Sequence, residues 1–306
     1  MNYVGIDIGG TNIKAGLVDE SGKVRKTLRT ATEVDDLDAL VSSLSKLLKK
    51  FRAFDNIDAV GIGIPGLRNT RTHRIETSPN IPCIHNLNLE ELLSKPLKLP
   101  VITENDANAG AYGEWVCGAG RKLQFMAYIT IGTGLGCGLI LNGALYRGAS
   151  GFAGELGHVN IEPTGRECAC GSTGCLETRV SAQGIVETAR DFMKNTKSSL
   201  HKIPNLTAEI IYAHALREDA AAAATFQDTG IMLGIACSDL INLLNLEKIV
   251  VGGGVMASGD LLLGAASAEV GRRAFAPAAR ICPIVQSQLW PNAGMIGAAM
   301  LARDRQ

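Results

Sequence analysis

Three cysteines fall within eight residues, Cys168, Cys170 and Cys175, and His158 stands ten positions before the first of them. The spacing is His-x9-Cys-x-Cys-x4-Cys. Three thiolates and one imidazole form a closed tetrahedral donor set for zinc, structural in type because no coordination position stays open. Gly171 and Gly174 supply the tight turn that such a knuckle needs. Buried free thiols beside an unrelated imidazole are the weaker reading. Cys83, Cys117, Cys137, Cys237 and Cys282 lie scattered in apolar context and read as small core residues. Two carboxylates flank the knuckle, Glu155 before it and Glu177 after it. A metal-braced loop would hold both, together with the spare nitrogen of His158, in a pattern suited to a polyhydroxylated ligand. Glu177 serves equally well as an acid in a first helical turn.

Two glycine bends carry a second kind of chemistry. Gly9-Gly10-Thr11 brings main-chain N–H groups and a hydroxyl to one place, as an oxyanion site requires. Asp7 precedes it, where a carboxylate could hold Mg²⁺ directly or through water, and Lys14 follows as a point charge. Gly132-Thr133-Gly134 repeats the arrangement. Either bend alone reads as an ordinary hairpin; the pair points to phosphate. Glu104-Asn105-Asp106 follows an apolar segment, and a carboxylate there could take a proton from an alcohol during phosphoryl transfer. Asn105 could pair with sugar hydroxyls, although the tripeptide taken alone reads as a helix cap. Gly252-Gly253-Gly254 permits close approach to a flat or anionic group, and a plain turn explains it nearly as well.

The elements that must hold these residues can be read from periodicity. Residues 3–8 and 12–18 alternate as strands around the first bend, and 126–131 and 137–142 do so around the second. Strand, glycine turn, strand thus occurs twice, which suggests an internally duplicated fold. Helical spacing marks 36–51, 89–94, 106–116, 181–194, 207–216, 220–244 and 259–275. Ser258 is the expected N-cap of the last of these, and Pro277 its terminator. Buried strands are expected at 59–64, 101–103, 248–251 and 281–285, and a closing helix at 293–303. Alternating strands and helices give an α/β architecture.

Composition bounds the partners. The 306 residues hold 30 Lys+Arg against 30 Asp+Glu, so nothing electrostatic points to nucleic acid or a membrane surface. The length suggests two domains. The uncharged runs 125–146 and 281–302 are broken by Gly and Pro and do not read as spanning helices. Eight cysteines without a secretory signal imply reduced thiols and a cytoplasmic setting.

Together, Asp7-Ile8-Gly9-Gly10-Thr11, Glu104-Asn105-Asp106, Gly132-Thr133-Gly134, Glu155 to His158, the three-Cys knuckle ending in Leu176-Glu177, and Val251 to Gly254 resemble the ROK family. Its members are sugar kinases and repressors of the actin-like ATPase fold, and the likeness covers essentially the whole chain. The resemblance implies two RNase-H-like lobes around a cleft, the second carrying the zinc loop. It sets residues 1–112 as the N-terminal lobe, with a helix at 293–306 packing back on it, and 113–292 as the C-terminal lobe.

It also implies ATP-dependent phosphorylation of a hexose at its 6-hydroxyl, glucose first. Asp106 would be the base, with Asn105, Asp106, Glu155, His158 and Glu177 binding the sugar and Gly66 and Asn80 lining its site. Asp7, Gly9, Gly10, Thr11, Lys14, Thr133 and Gly134 would serve the phosphates and Mg²⁺, and Gly252, Gly253 and Gly254 the adenosine. His158, Cys168, Cys170 and Cys175 would bind structural zinc, and a homodimer would be the assembly. Leu67-Arg68 after Pro65-Gly66, and Ile81-Pro82 after Pro79-Asn80, depart from glucose-specific relatives, while Cys137 replaces a common glycine. An N-acylhexosamine, allose or fructose therefore stands as the alternative substrate. A sugar-responsive regulator is the second class; such regulators carry an N-terminal helix-turn-helix, whereas here the phosphate strand starts at residue 3.

Overall fold

Alternation and capping account for most of the elements. The computed structural model describes residues 1–305, the side chain of Ser258 excepted. In chain order they are β1 (Asn2–Ile8), β2 (Asn12–Asp19), β3 (Val24–Ala31), α1 (Leu37–Arg52), β4 (Ala59–Ile64), β5 (Leu67–Arg68), β6 (Ile75–Thr77), α2 (Leu89–Leu97), β7 (Val101–Asn105) and α3 (Asp106–Cys117). There follow β8 (Met126–Ile131), β9 (Leu135–Leu141), β10 (Ala144–Tyr146), α4 (Ala182–Met193), α5 (Ala208–Ala215), α6 (Ala220–Leu244), β11 (Lys248–Gly252), α7 (Gly259–Arg273), α8 (Ala276–Ile281), β12 (Ile284–Gln286) and α9 (Ala293–Asp304). The chain divides into two compact units. The first comprises Met1–Gln124, Gly138–Gly154 and Gln288–Gln306; the second comprises Phe125–Cys137 and Glu155–Ser287.

In the first unit the sheet order is β3-β2-β1-β4-β7, antiparallel across β1 and β2 and parallel across β1, β4 and β7. All six residues of β4 are buried, as a central parallel strand demands. Val4, Ile6 and Ile8 of β1 face Leu40, Leu44, Leu48 and Phe51 of α1 within one core. Each such side chain removed from water contributes roughly 1.5–3 kcal/mol. Asp36 starts α1 by accepting Ala39 N–H at 3.0 Å, and Lys49, Lys50 and Arg52 suit its C-terminal end.

The opposite face of the sheet is smaller. Tyr3, Val18 and Ala59 meet Met295, Ala299 and Met300 of α9. A Cβ on Gly5 or Gly61 would collide with the carbonyl oxygens of Met295 and Ala298, so these glycines let the helix backbone lie directly on the strands.

The second sheet runs β10-β9-β8-β11-β12, matching the first in the placing of its hairpin beside its parallel strands. The expected duplication is therefore real, and the division between the units falls within β9. In the second unit α6 packs along α7, and a Cβ on Gly230 would meet Ala265 and Leu262. Helix α6 is long and apolar enough to cross a membrane by length and composition, yet more than half of that stretch is buried in the fold.

Periodicity placed β4, β8 and α6 at their observed bounds. It missed β3, a polar edge strand, and the short β5, β6 and β10. Pro277 does not end the helix before it: α7 stops at Arg273, and Pro277 occupies the first turn of α8, where its missing N–H costs nothing. Ser258, the expected N-cap of α7, has a side chain outside those described.

Candidate active site and metal centre

In the first unit, three parallel strands end side by side. Register pairs Asp7 with Gly63, Gly63 with Glu104, and Ile64 with Asn105. Asp7, the Pro65-Gly66 turn and Asn105-Asp106 therefore share the carboxyl edge of the sheet, where α/β folds place ligands. Burial and the like charge of Asp106 push the Asp7 carboxyl up to about 7, against the pull of Lys14. Asp106 is also raised by burial, and hydrogen bonds from Ala107 N–H, at 2.9 Å, and from the Asn105 side chain oppose the rise. A raised carboxyl suits a general base. Two neighbouring desolvated acids are also what a hard divalent cation would neutralise, so Asp7 fits the expected Mg²⁺ role on donor chemistry.

The first bend is closed by Gly9 N–H to Asn12 O at 3.0 Å. Thr32, just beyond β3, holds it from outside, its hydroxyl donating to Gly9 O at 2.7 Å and its N–H to Thr11 O at 3.0 Å. Gly10 and Thr11 are exposed. Asn80 stands beside this bend: a Cβ on Gly10 would lie 3.4 Å from its Cβ. Gly66 has φ +132°, and a Cβ there would strike Thr77 O. Asn105 works locally, since its Oδ1 accepts Asn108 N–H at 3.0 Å as the cap of α3 and its Nδ2 donates to Gly66 O at 3.2 Å. The Lys14 ammonium donates to Pro291 O at 2.6 Å.

In the second unit, β8 and β11 end together, with Thr130 opposite Gly252. The three glycines from the end of β11 onward differ in purpose. A Cβ on Gly252 would collide with Tyr128, and Gly253 has φ +93° against the backbone of Ile131. Nothing lies within 4 Å of a Cβ built on Gly254. The second bend is closed by Gly132 N–H to Gly134 O at 2.9 Å, and Thr133 is exposed. Glu177 lies against this bend, accepting Leu135 N–H at 2.7 Å. Glu155 is exposed at the start of the short helix that bears His158.

The donor atoms of His158, Cys168, Cys170 and Cys175 all lie within 4.8 Å of one another. Cys168 Sγ is 3.8 Å from His158 Nδ1, and Cys170 Sγ is 3.7 Å from Cys175 Sγ. Tetrahedral zinc with Zn–S near 2.3 Å would set its sulfurs about 3.8 Å apart. The four residues therefore fit zinc, and Nδ1 is the His158 nitrogen that faces the Cys168 thiol. Gly171 and Gly174 adopt φ +90° and +70°, and a Cβ on Gly174 would strike Glu162 O. Buried Cys175 is pushed up to about 12 by desolvation and the neighbouring thiols, a cost that a bound cation would remove.

Sequence reasoning singled out Glu104 and Arg68 but not the contacts through which they position these residues. Glu104 is 3% exposed and accepts from Arg147 Nε at 2.7 Å, with Arg305 at 3.7 Å. Arg68, also 3% exposed, donates to Thr103 Oγ1 at 2.9 Å and to Glu90 at 2.8 Å. It thereby ties the β5–β6 hairpin to the strand that leads into Asp106.

The ROK family profile matches residues 3–305. A glucokinase of Halalkalibacterium halodurans is 35% identical over 99% of this chain and 96% of its own length. A glucokinase of Thermotoga maritima is 33% identical, covering 100% of this chain and 98% of its own. The crystal structure of a ROK family glucokinase from Streptomyces griseus, in complex with glucose and AMPPNP, superposes with a TM-score of 0.88 at 33% identity, covering 99% of this chain and 100% of that one. With its mixed α/β duplication, its acid-bearing strand ends and its His-Cys₃ cluster, this chain belongs to the ROK family.

Proposed function

We propose that this protein transfers the γ-phosphoryl group of ATP to the 6-hydroxyl of glucose. The observation that carries the proposal is full-length similarity to a glucokinase bound to glucose and AMPPNP. Asp106 takes the proton of the sugar hydroxyl; its half-buried position just past the end of β7 and its raised carboxyl support that role. Asn105, Glu155, His158 and Glu177 hold the sugar, with Gly66 and Asn80 lining its site. Gly9, Gly10, Thr11, Thr133 and Gly134 present amides and hydroxyls to the phosphates, and Gly252 to Gly254 approach the adenosine. Lys14 contributes its charge nearby while anchored to Pro291. Mg²⁺ held through Asp7 would neutralise charge on the transferring phosphoryl group. Zinc held by His158, Cys168, Cys170 and Cys175 would fix the loop between Glu155 and Glu177. Eight free cysteines are consistent with a reducing cytoplasm, and a homodimer follows from the family resemblance alone.

The test is ADP release measured across a panel of glucose, N-acetylmannosamine, N-acetylglucosamine, allose and fructose. Glucose is expected to give the highest kcat/KM. Asp106→Asn is expected to bind glucose nearly normally and to lose about 10²–10⁴-fold in kcat. Retained turnover in that variant would remove Asp106 from its role, and preference for an N-acetyl sugar would reassign the substrate.

A further inference from the structure

The loop that carries the metal ligands also grips the second glycine bend. Glu177, two residues past Cys175, accepts Leu135 N–H through Oε2 at 2.7 Å. Ala182 N–H, at the head of α4, donates to Gly132 O at 2.8 Å. A Cβ on Gly157, beside His158, would collide with Leu135 O, so that glycine lets the loop lie against the start of β9. The loop is itself held firmly. Leu176 N–H reaches Val159 O at 2.9 Å, and Arg179 makes a two-pronged contact with Glu162 at 3.0 and 3.1 Å while reaching Asp228 on α6. Arg166 donates to the Thr178 carbonyl at 2.8 Å.

A bend made of Gly-Thr-Gly has little side chain with which to fix its own amides. If binding must first order them, affinity falls by that ordering cost. We infer that Glu177 is a positioning residue for the nucleotide, holding the Gly132–Gly134 bend in its phosphate-binding shape, and that the metal loop is its anchor. This rests on the reading that the bend takes the phosphates of ATP, and it gives Glu177 a task separate from any contact with sugar. The acceptor oxygen matters here rather than the charge, which would repel a phosphate placed nearby.

The test uses the full-length, zinc-loaded protein, titrated with a fluorescent AMPPNP analogue in the absence of sugar. Glu177→Ala is expected to raise the nucleotide Kd about tenfold, as loss of a hydrogen bond to a carboxylate would. Glu177→Gln keeps an acceptor and is expected to stay within about threefold of wild type. Gly134 adds an independent check, because the three atoms nearest a Cβ built there all belong to Glu177. Gly134→Ala should therefore weaken binding, and by less in the Glu177→Ala background, giving a cycle non-additive by about threefold or more. Should the alanine variant fail to fold, Glu177→Asp, whose carboxylate falls a methylene short of Leu135, is expected to show the same loss. A wild-type Kd in Glu177→Ala, equal losses for Ala and Gln, or an additive cycle overturns the inference. A wild-type protein that binds no AMPPNP overturns instead the reading of function beneath it.

Discussion

Replacing Arg147 with methionine tests how the end of β7, which leads into Asp106, is supported. The Arg147 guanidinium donates through Nε to Glu104 Oε2 at 2.7 Å, and Glu104 is 3% exposed. Removing one partner of a buried pair typically costs about 3–5 kcal/mol, because the remaining charge is left uncompensated. Here Arg305, at 3.7 Å from the same oxygen, and the donors Asn105 N–H and Asn108 Nδ2, at 3.2 and 3.3 Å on Oε1, offset part of that cost. The expected loss is about 2–3 kcal/mol. At roughly 2–4 °C per kcal/mol for a chain of this order of size, the melting temperature should fall by about 5–10 °C. Scanning calorimetry is the assay, since it shows whether the two units unfold separately and which transition moves. The double variant Glu104→Gln with Arg147→Met removes the stranded charge and should recover about 1–2 kcal/mol. An Arg147→Met protein within about 0.5 kcal/mol of wild type, or a double variant no better than the sum of its parts, would refute the reasoning.

Other outcomes are expected alongside those given above for Asp106 and Glu177. The Asp7 carboxyl lies at about 7 when folded and near 3.8 when unfolded, so the folded state binds the extra proton between those values. Stability should then fall as pH rises from about 4 to about 7, by at most about 1.4 kcal/mol per pH unit. Asp7→Asn should match wild type near pH 4 and exceed it above pH 7 in thermal melts; identical pH profiles would contradict this. Zinc removal should free the thiol of Cys170, which lies at the surface and is held below the usual thiol range by hydrogen bonds from Ser172 and Cys168. Iodoacetamide should label Cys170 first after chelation and spare Cys137 and Cys282, whose thiols burial pushes up to about 12. Peptide mass spectrometry reads the order, and equal labelling with and without metal would argue against the site. Chelation should also raise the sugar KM and loosen folding, and freshly purified protein without zinc on elemental analysis would contradict both.

The His158-Cys168-Cys170-Cys175 cluster, both glycine bends and the Glu104-Asn105-Asp106 tripeptide could be read from sequence because each is local, marked by residue type and spacing. The buried strand β4 was legible from its continuous apolar run, and the helix α6 from its helical periodicity. Strand β3 was not, because its exposed and half-buried residues alternate around Lys and Arg rather than around apolar side chains. Arg147 meets Glu104 across 43 positions, and Thr32 reaches Gly9 across 23. No local pattern encodes such partners, since tertiary closure alone brings them together. The local duty of Glu177 was hidden in the same way, because its N–H donor lies 42 positions earlier, at Leu135.

The glycine-lined seat of α9 has a consequence for how the polypeptide is made. Gly5 and Gly61, translated early, receive the backbone of Met295 and Ala298, translated more than two hundred residues later, and Gly294 comes to rest against the Asp7 carboxylate. On the ribosome, the opening sheet must wait with one apolar face bare while the intervening unit is synthesised and folds. Asp7 thus gains its final surroundings only once α9 has been made, so the carboxyl edge of the first sheet stays incomplete until then.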